Sequence, residues 1–316
     1  MSPSIALAGA VDGAVLRAAG WQVRGALHLT PYDDLRDVPS YAGLDDLLAD
    51  TTLDAVALDG GDPLLARHLP ALLERGLHVL LPTPAPLDAD LLRDARAVDR
   101  VAEVAVALTQ RWEPWALTVA TALPMVGTAV VQATVRGWPR GAAAAAELVD
   151  LARAWCGDVV SVSAAPAPLP ATELGDGLPV AWSLLHASGA TTLVSHEGAP
   201  TLVRLSFDDA RLEAGPLGAR WAGGAELPLL SAPDRRAVPE EWPAAGSDVP
   251  RRLPVPPGTA AGLLASAVFL LQAVPHGEVD VRAWPWPGDL GDLQAIGRVL
   301  AALRESARSE APARVA

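Results

Sequence analysis

The sequence predicts an α/β protein in two parts: a doubly wound parallel sheet, then an α+β domain with a large, mostly antiparallel open sheet. Three observations predict it. Up to Arg111, apolar runs alternate with amphipathic stretches, the pattern of parallel strands joined by helical crossovers. After Arg111, strand-like runs follow one another across short turns, which argues for an antiparallel sheet covered by helices on one face. The chain has 316 residues, enough for two domains and a sizeable core.

Taken in order, "SIALAGA" reads as the first strand and "DGAVLRAAG" as a helix ending at Gly20. "WQVRGALHL" is the second strand, "YAGLDDLLAD" a short helix and "LDAVALD" the third strand. "PLLARHLPALLERG" reads as one helix closed by Gly76, followed by the strand "HVLLP", the helix "LDADLLRDARAVDR" and the strand "VAEVAVAL". A helix from about Trp115 to Leu123 leads into the alternating strand "GTAVVQATVRG". "AAAAAELVDLARAWCG" is a strong helix with Gly157 as its stop. The strands "DVVSVSA", "PVAWSLLHAS", "ATTLVSHE", "TLVRLSF" and "ARLEA" follow, then a Pro-rich connection from Ser231 to Gly258. Helices near 259–273 and 289–307 close the chain. The expected domains are residues 1–114 and 115–316.

Composition excludes several function classes. Hydrophobic residues make up 51% and charged residues 19%, so the chain is globular and not disordered. It contains no lysine and no asparagine, which rules out a Schiff-base lysine, a P-loop lysine and a lysine proton donor. A formal net charge of −13 argues against nucleic acid as a partner. No basic amphipathic stretch points to a membrane surface. Cys156 is the only cysteine, so no intrachain disulfide forms and a reduced, cytoplasmic setting is expected. The first twenty residues lack a basic start and carry Asp12 inside the apolar run, a poor signal peptide. His28, His68, His78, His186, His196 and His276 show no metal-ligand spacing, so no metal is expected.

Four stretches carry a resemblance: "LDAVALDGGDPLLARHLPALLERGLHVLLPTP", "ALTQRWEPW", "AAAAAELVDLARAWCGDVVSVSA" and the late "LLQAVPHG" with "LAALRESARS". Together they resemble the Gfo/Idh/MocA oxidoreductases, named for glucose–fructose oxidoreductase and inositol dehydrogenase. The resemblance covers nearly the whole chain. It implies an N-terminal Rossmann-like domain and a C-terminal α+β domain with an open sheet. It also implies NAD(P) as cofactor and a cleft between the domains as the site.

The residues depart from what that resemblance implies. The glycine fingerprint becomes Gly9-Ala10-Val11-Asp12-Gly13-Ala14. Gly9 and Ala14 fit, but Val11 is expected to stand where phosphate should lie, with Asp12 adding a like charge. The run reads either as a weakened cofactor loop or as a plain strand-to-helix turn. Leu29 and Thr30 stand where a ribose-binding acid is implied, and the nearest carboxylates, Asp33 and Asp34, lie past a proline.

In the family's Glu-Lys-Pro, Pro82 replaces Glu, Thr83 replaces Lys and Pro84 is kept. The lysine of that motif helps position or polarise the reacting hydroxyl. Thr83 can donate a hydrogen bond but brings no charge to a developing oxyanion. On the second-domain helix, Glu147 stands for the acid/base histidine, Ala143 for its partner aspartate, and Asp150 matches. Glu147 and Asp150 lie three apart on one helix face. They read either as an acid–base pair with one raised pKa or as a solvated face with Asp150 pairing Arg153. Arg111 matches the exit-segment arginine and could hold an anion or join the domains; Trp112 and Trp115 line a pocket or simply pack.

These departures imply a protein that has lost lysine-assisted hydride transfer, with no cofactor. It would bind a small, largely apolar molecule in the interdomain cleft, as a cofactor-independent isomerase, lyase or cyclase or as a non-catalytic partner. Thr83, Arg111, Glu147 and Asp150 are the candidate catalytic residues, with Glu147 and Asp150 expected to approach Thr83 from a facing helix. The alternative is an active NAD(P)-dependent oxidoreductase acting on a sugar- or polyol-like hydroxyl or carbonyl, its cofactor held by Gly9, Ala10, Val11 and Ala14. A homodimer or higher homo-oligomer through the second-domain sheet is expected, because one layer of helices cannot cover both sheet faces.

Overall fold

The computed structural model describes residues 3–27, 38–84, 87–98, 102–126, 128–139, 141–164, 179, 181–196, 200–216, 218–223, 241–242, 251–252, 259–276 and 288–315. The strands of the first sheet are β1 (Ser4–Ala8), β2 (Gln22–Leu27), β3 (Ala55–Leu58), β4 (His78–Leu81) and β5 (Val104–Val106). Every residue of β1, β3, β4 and β5 is buried, as parallel strands covered on both faces require. They pair in parallel in the order β2-β1-β3-β4-β5, which reverses direction between β1 and β3.

The crossovers are α1 (Gly13–Ala18), α2 (Leu44–Ala49), α3 (Pro63–Ala66), α4 (Leu69–Glu74) and α5 (Ala89–Ala97). The single helix expected before Gly76 is two helices. Pro70 lacks an N–H and its ring opposes the carbonyl four residues back, so α3 stops at Ala66 and Pro70 sits in the first turn of α4. Gly76 ends α4 in the left-handed region, at φ +80°. The end of the second expected strand, with Leu29, Thr30, Asp33 and Asp34, lies outside the described residues.

The second sheet holds β6 (Gln132–Arg136), β7 (Val159–Ala164), β8 (Ala181–His186), β9 (Thr191–Ser195), β10 (Leu202–Ser206), β11 (Ala210–Gly215), β12 (Gly218–Gly223) and, at the end of the chain, β15 (Ala313–Arg314). Its order is β12-β11-β10-β6-β9-β8-β7-β15. All its pairs are antiparallel except β6 with β9. Two short strands, β13 (Glu241–Trp242) and β14 (Arg251–Arg252), form a separate ladder inside the Pro-rich connection; the rest of that connection lies outside the described residues. Alternation sorts the faces of the large sheet: Val135, Trp182, Leu184, Val194, Val203, Leu205 and Leu212 are buried, while Leu185 and Leu193 are exposed. Arg204 and Arg220 both pair with Glu213, at 2.7 and 2.5 Å.

The remaining helices are α6 (Pro114–Val126), α7 (Ala142–Cys156), α8 (Thr259–His276) and α9 (Leu290–Ser309). α8 packs on α1, β4 and β5. Its Leu263, Leu264, Ala267, Val268, Phe269 and Leu270 share a core with Ile5, Leu7 and Leu16, and Trp21 Nε1 donates to the Ala267 carbonyl at 2.8 Å. The chain therefore returns to the first sheet after building the second. One compact unit joins Met1–Thr109 with Pro239–Gln294, and the other joins Gln110–Val238 with Ala295–Ala316. The apolar face of α8 is what the parallel sheet needs to bury, and sequence distance does not weaken that demand. Among the described residues, no helix is long and apolar enough to cross a membrane.

Candidate functional site

In the first unit the chain leaves β1 through Gly9, at φ +89°. Glycine is required twice over there: a Cβ would strain that φ and would lie 2.6 Å from Asp59 Cβ and 2.7 Å from Leu65 Cδ1. β3 ends one residue before Asp59, so the close approach lies between the carboxyl ends of β1 and β3. The Asp59 carboxylate accepts from Gly61 N–H at 2.9 Å and from Ala10 N–H at 3.4 Å. Asp12 caps α1, its Oδ1 accepting from Ala14 N–H at 3.0 Å and Val15 N–H at 3.3 Å.

Val11 corrects an expectation. Its side chain does not stand above the turn in phosphate space; it is 1% exposed and packs in the core with Leu16 and Leu263. A branched apolar side chain one residue before the cap gains more by turning inward than by facing water. Asp12, expected only as a neighbouring charge, is the residue that engages the helix donors.

Thr83 lies just past the carboxyl end of β4, exposed, between the half-buried Pro82 and the buried Pro84. Ala85 and Pro86 lie outside the described residues. Asp88 then caps α5, accepting from Asp90 N–H at 2.8 Å and Leu91 N–H at 3.3 Å.

In the second unit the structure brings three candidates together. A 3-10 turn, Thr109–Trp112, carries Arg111 against α7. Arg111 Nε and one terminal nitrogen grip the two Asp150 carboxylate oxygens at 2.7 and 2.5 Å, a bidentate and charge-assisted pair. Glu147, one turn earlier on α7, accepts from Gln110 N–H at 3.1 Å. All three side chains are buried. The solvated-face alternative is therefore corrected: Asp150 is buried in the grip of Arg111, and Arg153 reaches past the helix end to the exposed Asp158 at 3.1 Å. A buried carboxylate needs a partner inside the protein, and Arg111 supplies one.

Trp112 and Trp115 pack in the core. Both are buried, and Trp115 makes edge contacts with Trp138 and Trp155 at centroid distances of 6.2 and 6.1 Å. Cys156 is buried with its thiol pushed up to about 11 by desolvation, so it is a poor nucleophile. Thr192 lies 3.9 Å from its sulfur and 2.8 Å from His186 Nε2.

Glu113 follows Trp112 at the end of the 3-10 turn. Burial raises its carboxyl above the ordinary range, the direction a proton-transferring acid needs. It is the acid in the quoted Arg-Trp-Glu-Pro run. Among the described residues no cluster of three His, Cys, Asp or Glu side chains could hold a metal ion.

No family model matches the chain, and no curated protein matches it. Solved structures do. Levoglucosan dehydrogenase in complex with NADH superposes with a TM-score of 0.69 at 13% identity, over 100% of both chains. An oxidoreductase domain protein from Kribbella flavida gives 0.69 at 17% identity, over 100% of both. A myo-inositol dehydrogenase from Corynebacterium glutamicum gives 0.66 at 15% identity, over 100% of this chain and 99% of that one. The chain has the fold of Gfo/Idh/MocA-type oxidoreductases, and the resemblance read from its motifs holds at that level.

Proposed function

We propose that this chain keeps a dehydrogenase fold without lysine-assisted hydride transfer. In this reading it binds a small, largely apolar molecule, as a cofactor-independent catalyst of isomerase, lyase or cyclase type or as a non-catalytic partner. The observation that supports it most is the state of the α7 carboxylates. Where the resemblance implies an acid/base histidine, Glu147 bonds a backbone N–H, and the neighbouring Asp150 is held by Arg111. With no lysine in the chain, Thr83 supplies a hydroxyl where a cation would polarise a reacting oxygen. Thr83 as hydrogen-bond donor and Glu147 as proton carrier, with Asp150 and Arg111 holding α7 to the 3-10 turn, are the roles this reading assigns.

A second reading has its own support: proteins of the same fold form complexes with NADH. It makes this chain an NAD(P)-dependent oxidoreductase acting on a sugar- or polyol-like hydroxyl. Native mass spectrometry for co-purifying nucleotide, with a turnover assay on inositol and levoglucosan using NAD+ and NADP+, separates the two. Reduction of either cofactor by these substrates sinks the first reading.

The same proposal includes a cytoplasmic setting, consistent with one buried, unpaired cysteine, and self-association through the open face of the second sheet, where Leu185 and Leu193 are exposed. Light scattering at micromolar concentration should give a dimer or larger; a monomer mass removes that part.

A further inference from the structure

Open parallel sheets take their ligands outside the carboxyl ends of the strands, where the strand order reverses. Here that place lies between β1 and β3, and the chain has put its own carboxylates there. Asp59 reaches from the end of β3 to Ala10 N–H in the β1 turn, with Gly9 packed against its Cβ. Asp12 holds the first two donors of α1 that a capping anion can reach, those of Ala14 and Val15. Val11 N–H, between them, bonds the Gly9 carbonyl at 3.1 Å. Two more helices that start from this edge are capped in the same way: α3 by Asp62, accepting from Leu64 N–H at 2.8 Å, and α5 by Asp88.

A dinucleotide bound at such a turn presents a pyrophosphate to backbone N–H groups and a helix N-terminus. The donor set of this chain does not fit it. The N–H groups of Ala10, Ala14 and Val15 already point at carboxylate oxygens, so a phosphate would have to displace an attached anion or lie beside one. Like charges at that distance disfavour each other, and at contact range salt screens the repulsion only in part even at an exposed edge. Nor does α1, with six residues, offer the aligned dipole of a long helix in return.

We infer that Asp12 and Asp59 take the place of the pyrophosphate, so that the carboxyl edge of the first sheet rejects phosphate-bearing ligands and accepts only a molecule without phosphate. The inference deepens the proposed function by naming the ligand class. It rests on that reading only for there being a ligand at all, since the proposed function turns on α7 in the second unit.

Titration calorimetry of the full chain with NADH and with inorganic pyrophosphate tests it. Wild type should show no saturation by either up to about millimolar concentration. Asp12→Asn with Asp59→Asn keeps the shape and the cap while removing both charges, and should tighten NADH and pyrophosphate at least tenfold. Asp12→Ala with Asp59→Ala also frees the donors and should tighten them further; should that variant fail to fold, the asparagine pair still decides. Low-micromolar NADH binding by wild type overturns the inference, and so does an asparagine variant that binds no better than wild type. NADH that binds wild type but is not turned over would sink this inference and leave the proposed function standing. Turnover with NAD+ or NADP+ would sink both, since a phosphate-bearing cofactor would then have been accepted.

Discussion

Asp12 and Asp150 are the same side chain put to opposite uses. Asp12, in the first unit, is exposed and caps a six-residue helix through two backbone N–H groups. Asp150, in the second, is 2% exposed and lies in a two-point grip by Arg111. The difference teaches where a carboxylate is replaceable. At the sheet edge water can take over its bonds, so the charge is a feature of the surface and of what the surface will bind. Between α7 and the 3-10 turn both partners are buried from bulk solvent, so the charge is part of the structure.

The largest effect should come from breaking the buried pair. Asp150→Ala leaves the Arg111 guanidinium buried without its carboxylate and should cost about 3–5 kcal/mol, read as the shift in urea midpoint at constant slope. Removing both ends, with Arg111→Met and Asp150→Leu, should restore much of that loss, because neither member of the pair is left buried without the other. If the single variant costs less than about 1 kcal/mol, a range usual for exposed pairs, the contrast between the two regions is gone.

A buried neutral group sharpens the same contrast. His186 bonds the Gly157 carbonyl through Nδ1 at 2.6 Å and Thr192 through Nε2 at 2.8 Å. Burial lowers its pKa, with the Gly157 bond and Asp158 opposing. The unfolded chain therefore takes up a proton at a higher pH than the folded one. Stability should fall as pH drops below about 6.5, the ordinary histidine value, until the folded pKa is passed, with a slope of at most about 1.4 kcal/mol per pH unit from this one residue. His186→Gln should flatten denaturation midpoints measured between neutral and mildly acidic pH. His78 shifts in the same direction, again by desolvation first, so some slope should persist. An unchanged slope in the variant would mean that His186 is protonated in the folded protein.

Much of this fold was legible because periodicity reports burial directly. The alternation through "TLVRLSF" puts Val203 and Leu205 inward, and the largely apolar "HVLL" is a strand buried on both faces. What could not be read were partners brought from far along the chain. Nothing local says that α8 covers the first sheet, or that Arg111 grips Asp150, because helix spacing fixes which face a residue is on and not what lies opposite. Val11 was misjudged for a related reason. The glycine pattern predicts a turn, but the direction of a side chain leaving it depends on the core beneath. Strands of a few residues, such as Ala313–Arg314, carry too little pattern to be seen at all.

At the exposed end of the comparison, Asp12→Ala should cost about 1 kcal/mol, the usual loss for a helix N-cap, and Asp12→Ser only a fraction of that since serine caps well. Thermal or urea midpoints suffice. A loss from Asp12→Ala as large as that from Asp150→Ala would show that the edge is as structural as the interior.

The smallest effect expected of removing a buried charge is that of Glu147→Gln, where the two uses meet. Glu147 is buried like Asp150, yet the bond it makes to Gln110 is to a backbone N–H, like those of Asp12. Glu147→Gln keeps an oxygen for that N–H and should change stability by less than about 1 kcal/mol, whereas Glu147→Ala strands the donor and should cost about 1–3 kcal/mol. The gap between the two variants is the diagnostic, because it weighs the bond against the charge. Should glutamine cost as much as alanine, the charge itself is what the interior requires, and Glu147 belongs with Arg111 and Asp150 as one buried network. The same variant separates structure from chemistry. With stability held, loss of turnover in a native reaction assigns proton transfer to Glu147, and full turnover leaves it the anchor of the 3-10 turn.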